Sequence, residues 1–399
     1  MNNCDIIVMG LQSWDIDIGS NCINIAKQFA VNNRVLYVNR ALDRLSKIKN
    51  AKEPKTARRI KSVKGEIEDL TQVENNIWVL DPTVVLESIN WMPPKLFKVF
   101  NKRNNKKLAY NIKAASQKLG FTNAVLFVDN DFFRGQYLKE YLQPSFFIYY
   151  VRDYLLQQPY FRKHGQASER DIIQKADLVV SNSSYLANYA KAFNKNSYDI
   201  GQGCDFTYFN SERQYDVPDD LKPIAKPVIG YVGTLVSIRL NIALLEELAL
   251  KNNQWSFVFV GPEDEEFSKS KLHKMANVYF LGKKAEIELA SYVSHFDVCI
   301  NPQLVNQTTM GNYPRKIDEY LALGKPVVAT YTDFMVSFSQ YVLLCNNIKE
   351  YETAITQALN IKDDKNLSLE RQKFALSHTW ENSVKSIYNH YKNLVIHGK

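Results

Sequence analysis

Asn312–Thr330 reads NYPRKIDEYLALGKPVVAT, a loop, a helix and a buried strand in quick succession. Pro314 suits a helix entry, where its missing N–H leaves no bond unmade. Gly324 closes the helix as a C-cap, and Lys325-Pro326 hands over to the β-branched pair Val327-Val328. Lys316 and Glu319 stand at the loop-to-helix junction. A cation there can hold a phosphate, and a carboxylate one turn on can take a ribose diol. The same pattern also describes any αβ unit of a parallel sheet, so the surrounding chain has to decide between the two.

Working outward, short apolar runs recur with helix-like spacers between them. In the first half they are residues 5–10, 34–39, 77–82, 124–130, 146–151, 178–183 and, more weakly, 198–203. In the second half they are residues 227–233, 256–261, 278–282, 298–302, 326–330 and 342–346. Strands alternating with helices predict α/β architecture, here two tandem doubly wound Rossmann-like domains. Residues 1–210 form an N-terminal domain, 211–226 a polar, Pro-containing linker, and 227–376 a second domain. Residues 377–399 form a C-terminal helix returning to the first domain, with Ser377 or Thr379 as its cap and Trp380, Val384, Ile387, Tyr388 and Tyr391 on one face. Ligands of such folds bind beyond the carboxyl ends of the strands, so the expected site is a central cleft lined by the loops that follow them.

The 399 residues suffice for two cores, and 45% hydrophobic with 23% charged residues is an ordinary globular balance. The opening MNNCDIIVMG reads as a first strand rather than a signal peptide, and there is no apolar run of membrane-spanning length. Cys4, Cys22, Cys204, Cys299 and Cys345 form no CxxC or Cys/His cluster, which predicts a reducing, cytoplasmic setting without structural zinc. The net charge of +8 is unevenly distributed: residues 1–205 hold 29 Lys and Arg against 20 Asp and Glu. Ten basic residues fall within Arg40–Lys64 and eight within Lys95–Lys118. Such runs are either solvated faces or docking surfaces. Trp91, Leu96, Phe97, Val99 and Phe100 favour the inner, anionic face of a membrane over nucleic acid as the partner.

Several strand-end loops carry candidate chemistry. Gly19 and Ser20 precede a helix and can present backbone N–H groups to an anion. The loop lacks GxGxxG, and Asn39-Arg40 stand where a dinucleotide oxidoreductase needs an acid. Asp15/Asp17 and Asp129/Asp131 have DxD spacing, which can hold a metal against a diphosphate but arises easily at strand ends. Arg152 and Asp153 emerge at the end of a strand, His164 sits in the following loop and Glu169 near a helix start. The other five histidines, His378 among them, fall in helical or polar surface patterns. In the second half Gly233 makes a tight turn with Arg239 after it, and a guanidinium fork there suits a diphosphate. Gly282 and Lys283 mark another strand end.

Together GYVGTL with Arg239, WSFVFVGP, NVYFLGKK, FDVCINP and YPRKIDEYLALGKPVVAT resemble the nucleotide-sugar domain of GT-B glycosyltransferases of the retaining family four. The resemblance implies that Glu319 binds the ribose hydroxyls and that Arg239 and Lys316 neutralise the donor diphosphate. It further implies that Gly233 and Thr234 line the donor, that Gly282 and Lys283 contact the base, and that Gly311, Asn312 and Tyr313 reach the sugar or phosphates through backbone N–H groups. Three positions depart from the family pattern: Gly311 stands where an acid is common, Thr234 where an arginine is, and Arg152-Asp153 where a His-Asp pair is.

A sugar leaving its diphosphate passes through an oxocarbenium-like state, so the site must stabilise charge growing on the phosphates. Arg239 and Lys316 meet that need with no cofactor and no metal. Asp153 is the candidate partner for the cationic sugar, and Gly19, Ser20, Arg152 and His164 form a candidate acceptor or phosphate loop. The expected partners are a nucleotide sugar and a glycan or lipid-linked acceptor in surface polysaccharide assembly. A sugar-nucleotide epimerase of the same architecture and a non-catalytic nucleotide-sugar-binding subunit remain the alternatives.

Overall fold

The computed structural model describes residues 1–16, 19–306, 309 and 313–397. It comprises two units, one of residues 1–201 and 380–399 and the other of residues 202–379.

The first unit is built on β1 (Asp5–Gly10), β2 (Arg34–Val38), β3 (Leu70–Glu74), β4 (Ile77–Leu80), β5 (Val125–Asp129), β6 (Phe146–Val151), β7 (Leu178–Ser181) and β8 (Ser197–Asp199). They lie in the order β3-β4-β2-β1-β5-β6-β7-β8. All neighbours pair in parallel except β3 with β4. The inner strands are fully buried runs such as IIVM and FIYYV, because helices cover both faces of a parallel sheet. The sequence reading missed β3: LTQVE is mostly exposed and polar and gains its strand conformation only by pairing at the edge with β4.

One face of this sheet is closed by the helix Asn21–Ala30 and by Trp380–His397. Trp380, Val384 and Ile387 join Ile25, Phe29 and Phe127 in one cluster. Tyr388 stacks on Phe29 with centroids 5.9 Å apart, and its hydroxyl accepts from Asn33 Nδ2 at 3.0 Å. Tyr391 meets Phe146 edge-on at 4.8 Å. The aromatic face of the C-terminal helix thus completes the first unit's core. The 25-residue helix Pro94–Lys118 lies on the other face, burying Phe97, Leu108 and Ile112.

The second unit has β9 (Val228–Val232), β10 (Ser256–Val260), β11 (Val278–Phe280), β12 (Val298–Asn301), β13 (Val327–Thr330) and β14 (Val342–Cys345) in the order β11-β10-β9-β12-β13-β14. All neighbours run parallel. The switch of strand order between β9 and β12 opens a crevice at their carboxyl ends.

The boundaries differ from those read in the sequence. The units divide after Gly201 rather than residue 210, and after Thr379 rather than residue 376. Residues 211–226 are polar in sequence but packed in the fold: Leu221 and Ile224 are buried in the second unit's core. There Asp220 accepts from Lys284 at 2.6 Å and from the Tyr292 hydroxyl at 2.8 Å.

Candidate functional site

The helix within the 312–330 stretch is short, Lys316–Ala322, and is fixed by what it buries. Ile317, Tyr320 and Leu321 enter the core, and the Tyr320 hydroxyl accepts from Val232 N–H at 2.8 Å, tying the helix to the end of β9. Helical spacing then brings Lys316 and Glu319, three residues apart, to one edge. That edge faces a cavity of about 350 Å³ lined also by Tyr231, Gly233, Thr234, Arg239 and Tyr313.

Lys316 Nζ bonds to the Tyr231 hydroxyl and lies 3.9 Å from the centroid of that ring, within cation–π range. Gly233 makes the approach possible: a Cβ there would sit 2.8 Å from Lys316 Nζ, and its φ of +135° disfavours any side chain. Burial brings the Lys316 ammonium down to about 7, opposed by Glu319 and assisted by Arg239. Glu319 is pushed up by burial, against the pull of Arg315, whose Nε donates to it at 3.1 Å. Arg239 lies exposed in the turn before the helix Ile242–Lys251. The result is a pair of cations and a carboxylate around one small cavity, suited to an anion beside a polyol.

Asp318 has a different task. It is fully buried and accepts from the Tyr313 hydroxyl, from Cys204 Sγ at 3.2 Å and from His378 Nδ1 at 2.7 Å. Tyr313 thereby uses its side chain, packed edge-on against Phe334 and Phe338, to fix the segment that enters the helix. His378, expected on a polar surface, is instead the partner of a buried carboxylate. Cys204 and His378 also run side by side, with Cys204 N–H donating to His378 O at 2.9 Å.

Not all the expected donor residues gather here. Gly282 and Lys283 lie past the end of β11, two strands from β9, and do not line the cavity. Gly311 and Asn312 lie outside the described residues. Tyr231 and Arg315 were missed: a tyrosine within an apolar strand reads as core, and only the fold shows its hydroxyl meeting Lys316.

In the first unit, Arg152 and Asp153 do stand at a strand's carboxyl end, beside the ends of β1 and β5. Arg152 is nearly buried, with Nε donating to Asp129 at 2.8 Å and Nη1 pairing with Asp153 at 3.1 Å.

 Asn130 completes the arrangement, its side-chain carbonyl accepting from Arg152 N–H at 3.1 Å while its amide donates to Asp153 O at 3.1 Å. Asp153 keeps a partly exposed carboxylate. Ser20 caps the helix Asn21–Ala30, its hydroxyl accepting from Ile23 N–H at 3.4 Å, and Gly19 is exposed just before it.

Two readings need correction. His164 lies within the helix Pro159–Lys175, not in a loop, and is buried. Its ring stacks on Phe97 at 4.0 Å, and Nε2 donates to the carbonyls of Asn90 and Met92 at 3.2 and 3.0 Å, so it holds the 90–97 segment rather than offering itself to an anion. Glu169 is also mid-helix and buried, accepting from the Tyr189 hydroxyl at 2.9 Å and raised to about 7 by burial. The helix runs unbroken through Gly165, a residue of low helix propensity.

The DxD carboxylates are engaged by arginines. Asp129 binds Arg152, Asp131 binds Arg134 at 3.2 Å and Asp15 binds Arg59 at 2.6 Å, while Asp17 lies outside the described residues. Among the described residues no group of three or more His, Cys, Asp or Glu is placed to hold a metal ion. No helix among them is long and apolar enough to cross a membrane.

The glycosyl transferases group 1 family model matches residues 226–360, so the second unit carries a glycosyltransferase domain of that family. The chain as a whole has the GT-B fold. Its structure resembles sucrose-phosphate synthase from Thermosynechococcus elongatus, with a TM-score of 0.63, 16% identity, and coverage of 99% of this chain and 100% of that one. It also resembles Anabaena HepE in complex with UDP, with a TM-score of 0.64, 15% identity, and coverage of 98% and 100%. In sequence, the putative teichuronic acid biosynthesis glycosyltransferase TuaH of Bacillus subtilis (strain 168) is 28% identical over 175 residues. That match takes in 42% of this chain and 44% of TuaH, less than half of either.

Proposed function

We propose that this chain transfers a hexose-type sugar from a nucleoside diphosphate to a glycan or lipid-linked acceptor, with retention and without a metal, in surface polysaccharide assembly. The observation that carries this reading is the buried Lys316 ammonium beside Glu319 and Arg239 in the second unit's cavity. A diphosphate entering there gives Lys316 the counter-charge that burial denies it, and Arg239 adds a second cation. Both stabilise the phosphates most as the sugar departs and their negative charge grows. Glu319 takes the ribose hydroxyls. Asp153, with a partly exposed carboxylate steadied by Arg152, faces the cationic sugar or orients the acceptor.

The description of TuaH as a teichuronic acid glycosyltransferase and the UDP complex of HepE support the choice of reaction and donor class. Peripheral contact with an anionic membrane is part of this reading, supported by Lys95, Lys98, Arg103 and Lys106 on the helix Pro94–Lys118, near exposed Trp91, Leu96 and Val99. The test is a thermal-shift screen of UDP-, GDP- and ADP-sugars with and without Mg²⁺ or Mn²⁺. A metal-independent shift by one of them, lost in Lys316→Met, is the expected result. A shift that requires metal overturns the metal-free mechanism.

A further inference from the structure

The first unit contains a second cavity, of about 450 Å³, assembled from loops that follow β2, β4, β5 and β6 over the helix Pro94–Lys118. Its size falls within the roughly 300–1,000 Å³ typical of small-molecule sites. The wall is mixed: Leu86, Ile89, Phe97, Leu108 and Phe133 are buried apolar side chains, and Asn101, Asn104 and Asn105 between them spend their amides on bonds within the protein. At its edge large apolar side chains remain exposed: Trp91 at 69%, Tyr160 at 49% and Leu45 at 48%. That segment is braced, since Asn90 Nδ2 donates to Tyr160 O at 2.6 Å and Lys163 Nζ to Trp91 O at 2.7 Å.

Two arginines, Arg40 and Arg134, also line the cavity, Arg40 from an exposed position, and the Arg134 cation holds Arg40 below the usual arginine value. Arg134 spends Nη1 on Asp131, but its buried Nε has no partner. The Arg40 guanidinium has no hydrogen-bond or ion-pair partner among the described residues. The acids of the lining are committed elsewhere: Asp43 accepts from Ser46 and Ser88, and Glu87 pairs with Arg44 and Lys107. The unmet buried donor of Arg134, with the Arg40 cation lining the same cavity and buried apolar side chains beside them, is matched by an anion carrying a hydrocarbon chain.

We propose that this cavity binds a lipid phosphate, its chain against Ile89, Phe97 and Phe133 and its phosphate on Arg40 and Arg134, and that this is the lipid end of the acceptor. The proposal rests on the transferase reading and narrows its acceptor to the lipid-linked class. A free glycan would leave Ile89, Phe97 and Phe133 without an apolar partner.

The test is calorimetric titration of the full chain with farnesyl phosphate, with UDP thermal shift measured on the same preparation. Saturable binding is expected, weakened at least ten-fold by Arg40→Ala and similarly when farnesol replaces farnesyl phosphate. Inorganic phosphate is expected to bind at least a hundred-fold more weakly. Trp91→Ala, a change at an exposed edge, should weaken binding several-fold. Absence of farnesyl phosphate binding, or binding indifferent to Arg40→Ala, overturns the proposal and leaves the transferase reading standing if UDP still shifts the melting temperature. Displacement by dihexanoyl phosphatidylglycerol at equal concentration would identify a site for bilayer lipid and overturn the assignment to an acceptor. If farnesyl phosphate binds through Arg40 while none of the UDP-, GDP- and ADP-sugars gives a shift, the lipid-phosphate site stands, and its assignment to an acceptor falls with the transferase reading.

Discussion

The ammonium of Lys316 lies 3.9 Å from the centre of the Tyr231 ring, bonded to the same tyrosine's hydroxyl. Tyr231 lies near the end of an apolar strand and Lys316 begins a helix 85 residues later, so a core side chain serves as the floor of the proposed anion site.

The pH dependence follows from that contact. The folded protein holds the Lys316 proton only to about 7, against an ordinary value of 10.5. Between those values the unfolded chain binds more protons, so the stability of the ligand-free protein rises with pH across that window. The penalty is fully present below about 7. Lys316→Met should remove this contribution, as measured by urea unfolding at several pH values. An anionic nucleotide favours the protonated lysine, so UDP binding should take up a proton at pH about 8 and weaken above it. Calorimetry in buffers of different ionisation heat reads that uptake.

Glu319 and Arg239 test the donor site without entering the core. A lost charge-assisted hydrogen bond costs about 1.5–3 kcal/mol, or about 10- to 100-fold in affinity. Glu319→Gln and Arg239→Ala should each weaken UDP binding by that order while the unfolding midpoint stays near that of the native chain.

Asp153→Asn addresses the reaction rather than the donor. Turnover should fall at least ten-fold with little change in UDP affinity, because Asp153 belongs to the first unit. Undiminished turnover removes Asp153 from the mechanism.

The Asp318–His378 pair is a structural counterpart to the donor site. Asp318→Ala leaves His378, Tyr313 and Cys204 facing a void, and breaking such a buried pair costs about 3–5 kcal/mol. Denaturant unfolding should show that loss, and hydrogen exchange should place it in the second unit.

Ile387→Ala should act on the other unit. Its side chain is fully buried among first-unit residues, and truncating such a group costs about 2–5 kcal/mol. Faster amide exchange in the helix Asn21–Ala30, with the second unit unchanged, is the expected signature.

The parallel sheets were legible in the sequence because a strand covered on both faces must be apolar throughout, as β1 and β6 are. The helix carrying Lys316 and Glu319 was legible for a related reason, since its apolar spacing and the Gly324 cap are local. The polar edge strand β3 and the packed segment 211–226 escaped because their structure depends on neighbours distant in the chain. The same holds at the sites. Sequence located Lys316, Glu319, Arg239 and the Arg152-Asp153 pair, whose charges stand out against apolar runs. Only the tertiary structure set Tyr231 under Lys316, joined His378 to Asp318, turned His164 into a brace, and brought Arg40 and Arg134 to one cavity. Charge and periodicity are properties of a short stretch of chain, whereas desolvation and partnership arise only where distant stretches meet.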